Sequence, residues 1–343
     1  MKKSRLPQLW LVSVLGGSFL ALAGSVQAAE WDKPGWNLVF NDEFDELSLD
    51  TASWHTCFWW ATDTCSIETN QELELYNPAD VFVENGRLRL RAQRRDMVGW
   101  NGQLYNYTSG MVMTGGRKYV KPPGFFFQYG YAEAQVKVPS GRGLWPAFWL
   151  LPVDCSNSPC DYTSRPEIDV MEILGQEPNV QHMNYHFLYP NGSSGDVGTS
   201  RAGPDFSAGW HTFGIEWSPT ALVWYVDDVE WWRYTDPTTI ASNTLYLILN
   251  LAVGGNWPGP PDPSTVFPSY FEVEYVRVYQ RALASPTPAL PGDLDYDSDV
   301  DYLDFGGLVR VYGSEGCGQP ADLTGDCRVD LFDFGQFVVG YGQ

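Results

Sequence analysis

The stretch "RPEIDVMEIL", residues 165–174, sets three carboxylates among residues that otherwise favour a β-strand. Ile168, Val170, Met171 and Ile173 are the buriable, β-forming neighbours of Glu167, Asp169 and Glu172. Side chains on a strand alternate between faces, so Glu167 and Asp169 share one face. Glu172 lies three positions beyond Asp169 and would point to the other side of a regular strand. A β-bulge that absorbs one extra residue restores it, and bulges are over-represented beside active sites. Met171 is the residue expected to be extra.

Two carboxylates facing one bond are what glycoside hydrolysis needs: one attacks the anomeric carbon and the other protonates the leaving oxygen. A retaining mechanism places the carboxyl groups about 5–5.5 Å apart. With one residue absorbed, the Cα atoms of Glu167 and Glu172 stand about 13 Å apart, a gap that side chains converging on one sugar in a concave groove largely close. The expected roles are Glu167 as nucleophile and Glu172 as general acid and then general base, its pKa raised by nearby like charge. Asp169, between them, is expected to orient Glu167 and tune its proton affinity.

Composition bounds the rest. Lys2, Lys3 and Arg5, an apolar run from Leu9 to Ala23 and the small-residue site Val26-Gln27-Ala28 form the pattern of a cleavable secretory signal over residues 1–28. The run is too short to span a bilayer comfortably, and "ALAGS" has serine where a lipoprotein signal has cysteine. The expected mature protein is a soluble monomer, secreted or extracellular, with attachment to a cell surface through its C-terminal module as the alternative. Removing 1–28 leaves 18 basic residues against 42 acids, a balance that repels nucleic acid and anionic membranes. The 15 tryptophans exceed what a core requires, and flat indole faces suit the C–H faces of pyranose rings. Six cysteines fall as three close pairs, favouring the disulfides Cys57–Cys65, Cys155–Cys160 and Cys317–Cys327 in an exported chain. The four histidines, His55, His182, His186 and His211, show no recognised metal-ligand spacing.

From residue 30 to 281 short aromatic and β-branched runs alternate between turn residues, as in "YAEAQVKVP" (131–139), "LVWYVDDVEWWRY" (222–234) and "YFEVEYVRVYQ" (270–280). This predicts an all-β sandwich in which one sheet curves to present a groove. "LASPTPALP" (283–291) reads as a semi-rigid linker. Beyond it, in 292–343, "DLDYDSDVDYLDFGGLVRVYG" (293–313) repeats at an offset of 29 as "DLTGDCRVDLFDFGQFVVGYG" (322–342). Oxygen-bearing side chains stand at loop positions 1, 3, 5, 9 and 12: Asp293, Asp295, Asp297, Asp301 and Asp304, then Asp322, Thr324, Asp326, Asp330 and Asp333. That is calcium-loop spacing, with Asp299 and Arg328 expected to offer backbone carbonyls. The apolar positions Phe305, Leu308, Val309, Phe334, Phe337 and Val338 are expected to give this small helical module its core. Ser298 and Cys327 replace the usual turn glycine, and Asp ends each loop where an EF-hand has Glu.

The tail resembles a dockerin, the paired calcium-loop module that docks enzymes onto cohesin-bearing scaffolds, and a cohesin-like partner is what that resemblance implies. "EIDVME" resembles the signature of glycoside hydrolase family 16 in its bulged E-x-D-x-x-E form. "NDEFDELSLDTASW", "TNQELELYNPADVFVENGRLRLRAQR", "YGYAEAQVKVPSGRGLWPAFWLLP" and "NLAVGGNWPG…YVRVYQ" are similar to its other ordered motifs. The resemblance implies a concanavalin-like jelly roll that cuts β-linked polysaccharides with retention, the bulged form being typical of laminarinase-like β-1,3-glucanases. It also implies substrate contacts by Asn70, Trp145, Trp149, His186 and Trp257, with His186 near the acid/base. Tyr131 stands where the family often has arginine, so a subsite contact is expected to differ. Glu43, Gly86 and Glu274 are candidates for a structural calcium site in the catalytic domain; no cofactor is expected for catalysis.

The leading expectation is an endo-acting hydrolase of β-1,3- or mixed β-1,3/1,4-glucans. Relatives that cut agar, porphyran and carrageenan define the alternative. The catalytic segment carries 16 bases against 31 acids, a poor host for sulfated polyanions. A transglycosylase uses the same carboxylates, and a catalytically silent carbohydrate-binding protein usually lacks one of the three present here.

Overall fold

Strand and turn signals of the sequence translate directly into hairpins. "LVWYVDDVEWWRY" folds back on itself at Asp227 and Asp228, whose φ values of 49° and 62° make the double left-handed turn that suits the twist of a tight hairpin. Continuous apolar runs such as "LYLILNLAV" (245–253) become strands buried on both faces. The structure, a computed structural model of the chain, describes residues 33–58, 65–116, 124–153 and 166–281, and beyond these 292, 294, 300, 302–315, 321–324 and 326–341. The expected signal (1–28), the linker (283–291), the Cys155–Cys160 pair, Cys317, and loop residues Asp293, Asp295, Asp297, Asp299 and Asp301 lie outside the described residues.

The first eight strands are β1 (Trp36–Asp42), β2 (Glu74–Tyr76), β3 (Val81–Val83), β4 (Leu88–Val98), β5 (Leu104–Ser109), β6 (Met111–Met113), β7 (Gly130–Lys137) and β8 (Leu144–Pro152). They are followed by β9 (Glu167–Ile173), β10 (Val180–Leu188), β11 (Ser194–Ala202), β12 (His211–Trp217), β13 (Leu222–Val226), β14 (Val229–Tyr234), β15 (Leu245–Val253) and β16 (Ser269–Arg281). Ten strands form one sheet in the order β14-β13-β12-β7-β16-β4-β5-β2, with β1 on β16 and β3 on β4. Six form the other, β11-β10-β9-β8-β15-β6. Every pairing is antiparallel except β2 with β5.

The two inner faces make one core. Ile168, Val170, Met171 and Ile173 of β9, Met183 and Tyr185 of β10 and the odd-numbered residues of β15 meet Ala132 and Ala134 of β7, Phe213 of β12, Trp224 of β13 and Val276 of β16. On the far side of the six-stranded sheet a second cluster forms. Phe58, Tyr76, Met111, Met113, Trp149, Tyr246 and Ile248 pack together beside the Cys57–Cys65 disulfide, which forms as expected. It covers one end of that face and leaves the β8–β10 part as the open floor of a site.

Tyr131 corrects the sequence reading. It follows its motif neighbours in sequence but lies on β7, in the ten-stranded sheet, between Glu216 and Tyr279 in register. Its face is the outer one, opposite to Ala132 and Ala134, so it stands across the whole sandwich from the carboxylate trio. The Lys33 ammonium sits 4.6 Å from its ring centre and bonds the buried Glu133. Arginines stack on aromatic rings along the same sheet, Arg277 on Tyr275 at 3.6 Å and Arg89 on Tyr270 at 3.9 Å. Glu43 takes two nitrogens of Arg277 and Glu274 takes Arg87, so both carboxylates of the candidate calcium set are charge-paired with arginine.

In the C-terminal segment α1 (Tyr302–Val311) and α2 (Leu331–Gly340) pack through Val300, Leu308 and Phe337, with Leu294, Phe305, Leu323 and Phe334 against them. Val309 and Val338, expected inside, are exposed. Each follows a buried residue by one step, a rotation of about 100° around the helix, so the two cannot share a face. Asp330 caps α2 and Asp333 returns the bond in a capping box. Cys327 is disulfide-bonded. Among the described residues no helix is long and apolar enough to cross a membrane.

Candidate active site

The carboxylate trio is built by register. On its β8 side Met171 pairs with Phe148 and Asp169 with Trp149, leaving Val170 without a partner. On its β10 side Glu172 pairs with His182 and Asp169 with Asn184, so Val170 and Met171 together face the single residue Met183. The expected bulge is present, but the residue without a β8 partner is Val170 rather than Met171, because the neighbouring strand's register decides which of the two is displaced. Both are fully buried in the core. Glu172 is thereby returned to the face of Glu167 and Asp169.

Glu172 is 9 % exposed, and each of its oxygens accepts a side-chain N–H. Asn184 Nδ2 donates to Oε2 at 2.7 Å and Trp145 Nε1 to Oε1 at 3.1 Å. Burial, then the charges of Asp169 and Glu167, push its carboxyl well above the ordinary range, while the two donors pull the other way. The result is an acid that holds its proton and has the charged form solvated in advance.

His186 lies elsewhere than the resemblance implied. Strand β10 runs antiparallel to β9, so His186 pairs with Glu167 and His182 pairs with Glu172. His186 Nε2 is 3.4 Å from Asp169 Oδ2 and 3.9 Å from Glu167 Oε1. Glu167, Asp169 and His186 offer ligand atoms all within 4.8 Å of one another, close enough to share a proton or a cation. Residue spacing along the chain gave no sign of this grouping.

Trp257 is 41 % exposed and meets both Trp145 and His182 edge-on, at centroid distances of 5.3 and 4.7 Å. This places an aromatic wall beside Glu172. Asn70 anchors that wall: its carbonyl accepts the Asn256 N–H at 2.8 Å, and its side-chain amide donates to Glu72 at 2.9 Å. Glu72 and Glu74 are both buried; burial raises the first, and burial with the charge of Glu72 raises the second. Glu74 accepts the Val253 N–H at 2.7 Å and so ties β2 to the strand leading into the Trp257 loop. Trp149 shares the face of Asp169 but is only 7 % exposed. Its N–H is donated to Asn250, which donates in turn to Tyr76, so Trp149 is floor rather than a free stacking surface.

Asn184, His182, Asn250 and Glu72 were missed by sequence reasoning. For the first two a signal exists, since in "QHMNYHFL" positions 182, 184 and 186 share one strand face.

The model of glycosyl hydrolases family 16 matches residues 59–276. A β-glucanase of Rhodothermus marinus is 33 % identical over 304 residues, covering 82 % of this chain and 96 % of the relative. Glucan endo-1,3-β-glucosidase A1 of Niallia circulans is 32 % identical over 269 residues, 72 % of this chain and 38 % of the relative. Among solved structures, the catalytic domain of an endo-1,3-β-glucanase (laminarinase) from Thermotoga petrophila superposes with a TM-score of 0.62 at 33 % identity, covering 72 % of this chain and 98 % of that one. The chain therefore belongs to glycosyl hydrolase family 16 and is a glycoside hydrolase with the family's jelly-roll sandwich.

The raised pKa of Glu172 has a stability consequence. A carboxyl whose folded pKa lies above its unfolded value contributes stability that is complete below about pH 4.3 and is lost as pH rises through the folded value. Glu172→Gln removes that loss. The melting temperature of the variant minus that of wild type should therefore climb as pH rises above about 4.3 toward the raised folded value; a difference that stays flat as pH rises would contradict the buried-acid assignment.

Proposed function

We propose that the protein is a secreted, endo-acting, retaining hydrolase of β-1,3- or mixed β-1,3/1,4-glucans. The observation that carries this reading is the buried, doubly hydrogen-bonded Glu172 on the same face as Glu167, across a bulge. A glucan lying over β8–β10 presents its anomeric carbon to Glu167 and its glycosidic oxygen to Glu172. Glu172 gives its proton to the leaving oxygen while Glu167 attacks, forming a glycosyl ester. The new Glu172 carboxylate is met at once by the Asn184 and Trp145 N–H groups, so charge develops where donors already stand. A water then enters, Glu172 removes its proton, and the ester opens with the original anomeric configuration. Asp169, with His186 beside it, orients Glu167 and tunes its proton affinity. Trp257 and Trp145 offer the apolar faces for sugar rings. Support for glucan as substrate comes from the relatives, which include endo-1,3-β-glucanases and endo-1,3-1,4-β-glycanases.

The C-terminal module we read as a calcium-loop, dockerin-like unit that meets a cohesin-like protein. The buried carboxylates of Asp304 and Asp333 turn into their loops, accepting the backbone N–H groups of Leu294 and of Thr324 and Asp330. Asp322 accepts two amides of its own loop. Oxygen-bearing residues at this spacing fit calcium, whose binding would relieve the repulsion of eleven acids against two arginines. Asp293, Asp295, Asp297, Asp301 and Asp304 would hold one ion and Asp322, Thr324, Asp326, Asp330 and Asp333 the other, with the Asp299 and Arg328 carbonyls.

Reducing-end release from laminarin, lichenan, agarose and carrageenan tests the substrate. New ends from laminarin or lichenan are expected; release from the galactans alone would overturn the reading, and binding without new ends would favour a silent lectin. Glu167→Gln should abolish turnover and keep substrate affinity. Calorimetric titration of chelator-treated protein should register two calcium ions per chain and a gain in helical signal; absence of uptake would remove the calcium assignment.

A further inference from the structure

At the bulge two consecutive backbone carbonyls accept hydrogen bonds from side chains that come from two different places. A carbonyl in a buried strand normally faces the N–H of its neighbour, and one left bare is rare. Between Asp169 and Glu172 the β9 chain has two residues where β8 and β10 each have one to offer. The Asp169 carbonyl accepts the indole N–H of Trp224 at 2.8 Å. The Val170 carbonyl accepts the side-chain amide of Gln181, also at 2.8 Å. Both donors are fully buried.

We infer that Trp224 and Gln181 are positioning residues that set the separation and aim of the catalytic carboxylates by clamping the bulge from beneath. The inference rests on the assignment of Glu167 and Glu172 as the working pair. Neither clamp residue lines the groove. Trp224 stands on β13 in the opposite sheet and reaches through the core, its ring packed on Trp232 at 4.4 Å, so it fixes the bulge in depth against the other layer. Gln181 stands on β10, beside the strand it holds, and pairs in register with Ile173 at the far side of Glu172. Its Oε1 has no hydrogen-bond partner among the described residues, so the one bond its amide makes is the bond to Val170. Two donors on consecutive carbonyls, one from the opposite sheet and one from the neighbouring strand, fix both peptide planes on which the Asp169-to-Glu172 spacing depends. A geometry fixed this way matters because misplacement by about 1 Å can cost a hundredfold in rate.

The test deletes each donor with the least loss of volume, in the full-length enzyme acting on laminarin well below its melting point. Trp224→Phe removes the indole N–H and keeps a ring; Gln181→Met removes the amide and keeps the length. Trp217→Phe is the matched control, since Trp217 is equally buried on the neighbouring β12 and donates its N–H to the Ala241 carbonyl, away from the bulge. Trp224→Phe and Gln181→Met should each lower kcat by about ten- to a hundredfold with KM nearly unchanged. Both should also move the alkaline limb of the pH–rate profile, because the distance from Glu172 to the charges of Asp169 and Glu167 changes. Trp217→Phe should lose stability only. If Trp224→Phe does not fold, Gln181→Met, which leaves no ring-sized void, decides alone. Wild-type kcat and pH profile in the clamp variants, with only a lower melting point, would overturn the inference. Failure of the underlying reading looks different: in that case Glu167→Gln itself keeps turnover.

Discussion

One extra residue in β9 governs the rest of this molecule. The segment Glu167–Ile173 must send four apolar side chains inward and three carboxylates outward, and no regular strand can do both. With strict alternation past Asp169, Met171 would face the groove and Glu172 would enter the core among Val170 and Ile168, where an unpaired carboxyl is strongly disfavoured. Placing Val170 and Met171 side by side against Met183 satisfies all seven positions at once. The same hydrophobic term that packs the sandwich therefore also delivers the acid to its site. Core packing and the common face of the three carboxylates are set by one irregularity.

What surrounds the bulge explains why the arrangement is tolerated. Acids that are deeply buried here have donors: Glu172 has Asn184 and Trp145, Glu74 has the Val253 amide, and Glu133 has Lys33. The two sheets divide the labour. The outer face of the ten-stranded sheet is sealed by arginines laid over aromatic rings and paired with carboxylates, a stable and chemically quiet surface. The outer face of the six-stranded sheet concentrates carboxylates, histidines and indoles that converge on one trough. The cluster around Phe58 and Trp149 packs over its β15–β6 side, and the Trp257 loop, tethered through Asn70, stands beside Trp145 and His182.

The sequence made the sandwich legible because alternation and turn residues are local: the hairpin at Asp227-Asp228, the buried run of β15 and the carboxylate trio can all be read along the chain. The parity break at Glu172 even announced a bulge. Which residue it displaced was not legible, since that depends on where Phe148 and Trp149 fall on the neighbouring strand. Register likewise decided that His182, not His186, stands opposite Glu172. Tyr131 was misread for a related reason, because motif neighbours one strand apart in sequence can belong to opposite sheets. In the tail, the repeat fixed the helices but not their rotation, so Val309 and Val338 face out while Leu308 and Phe337 face in.

The central claim is that Glu167 is the nucleophilic partner of a carboxyl brought back to its side by the bulge. It is tested most directly by trapping the glycosyl-enzyme with an activated 2-deoxy-2-fluoro glucan oligosaccharide and locating the adduct by peptide mass spectrometry. The account predicts a single sugar ester on Glu167. An ester on Asp169 or Glu172, or no ester together with a product of inverted anomeric configuration, would contradict it.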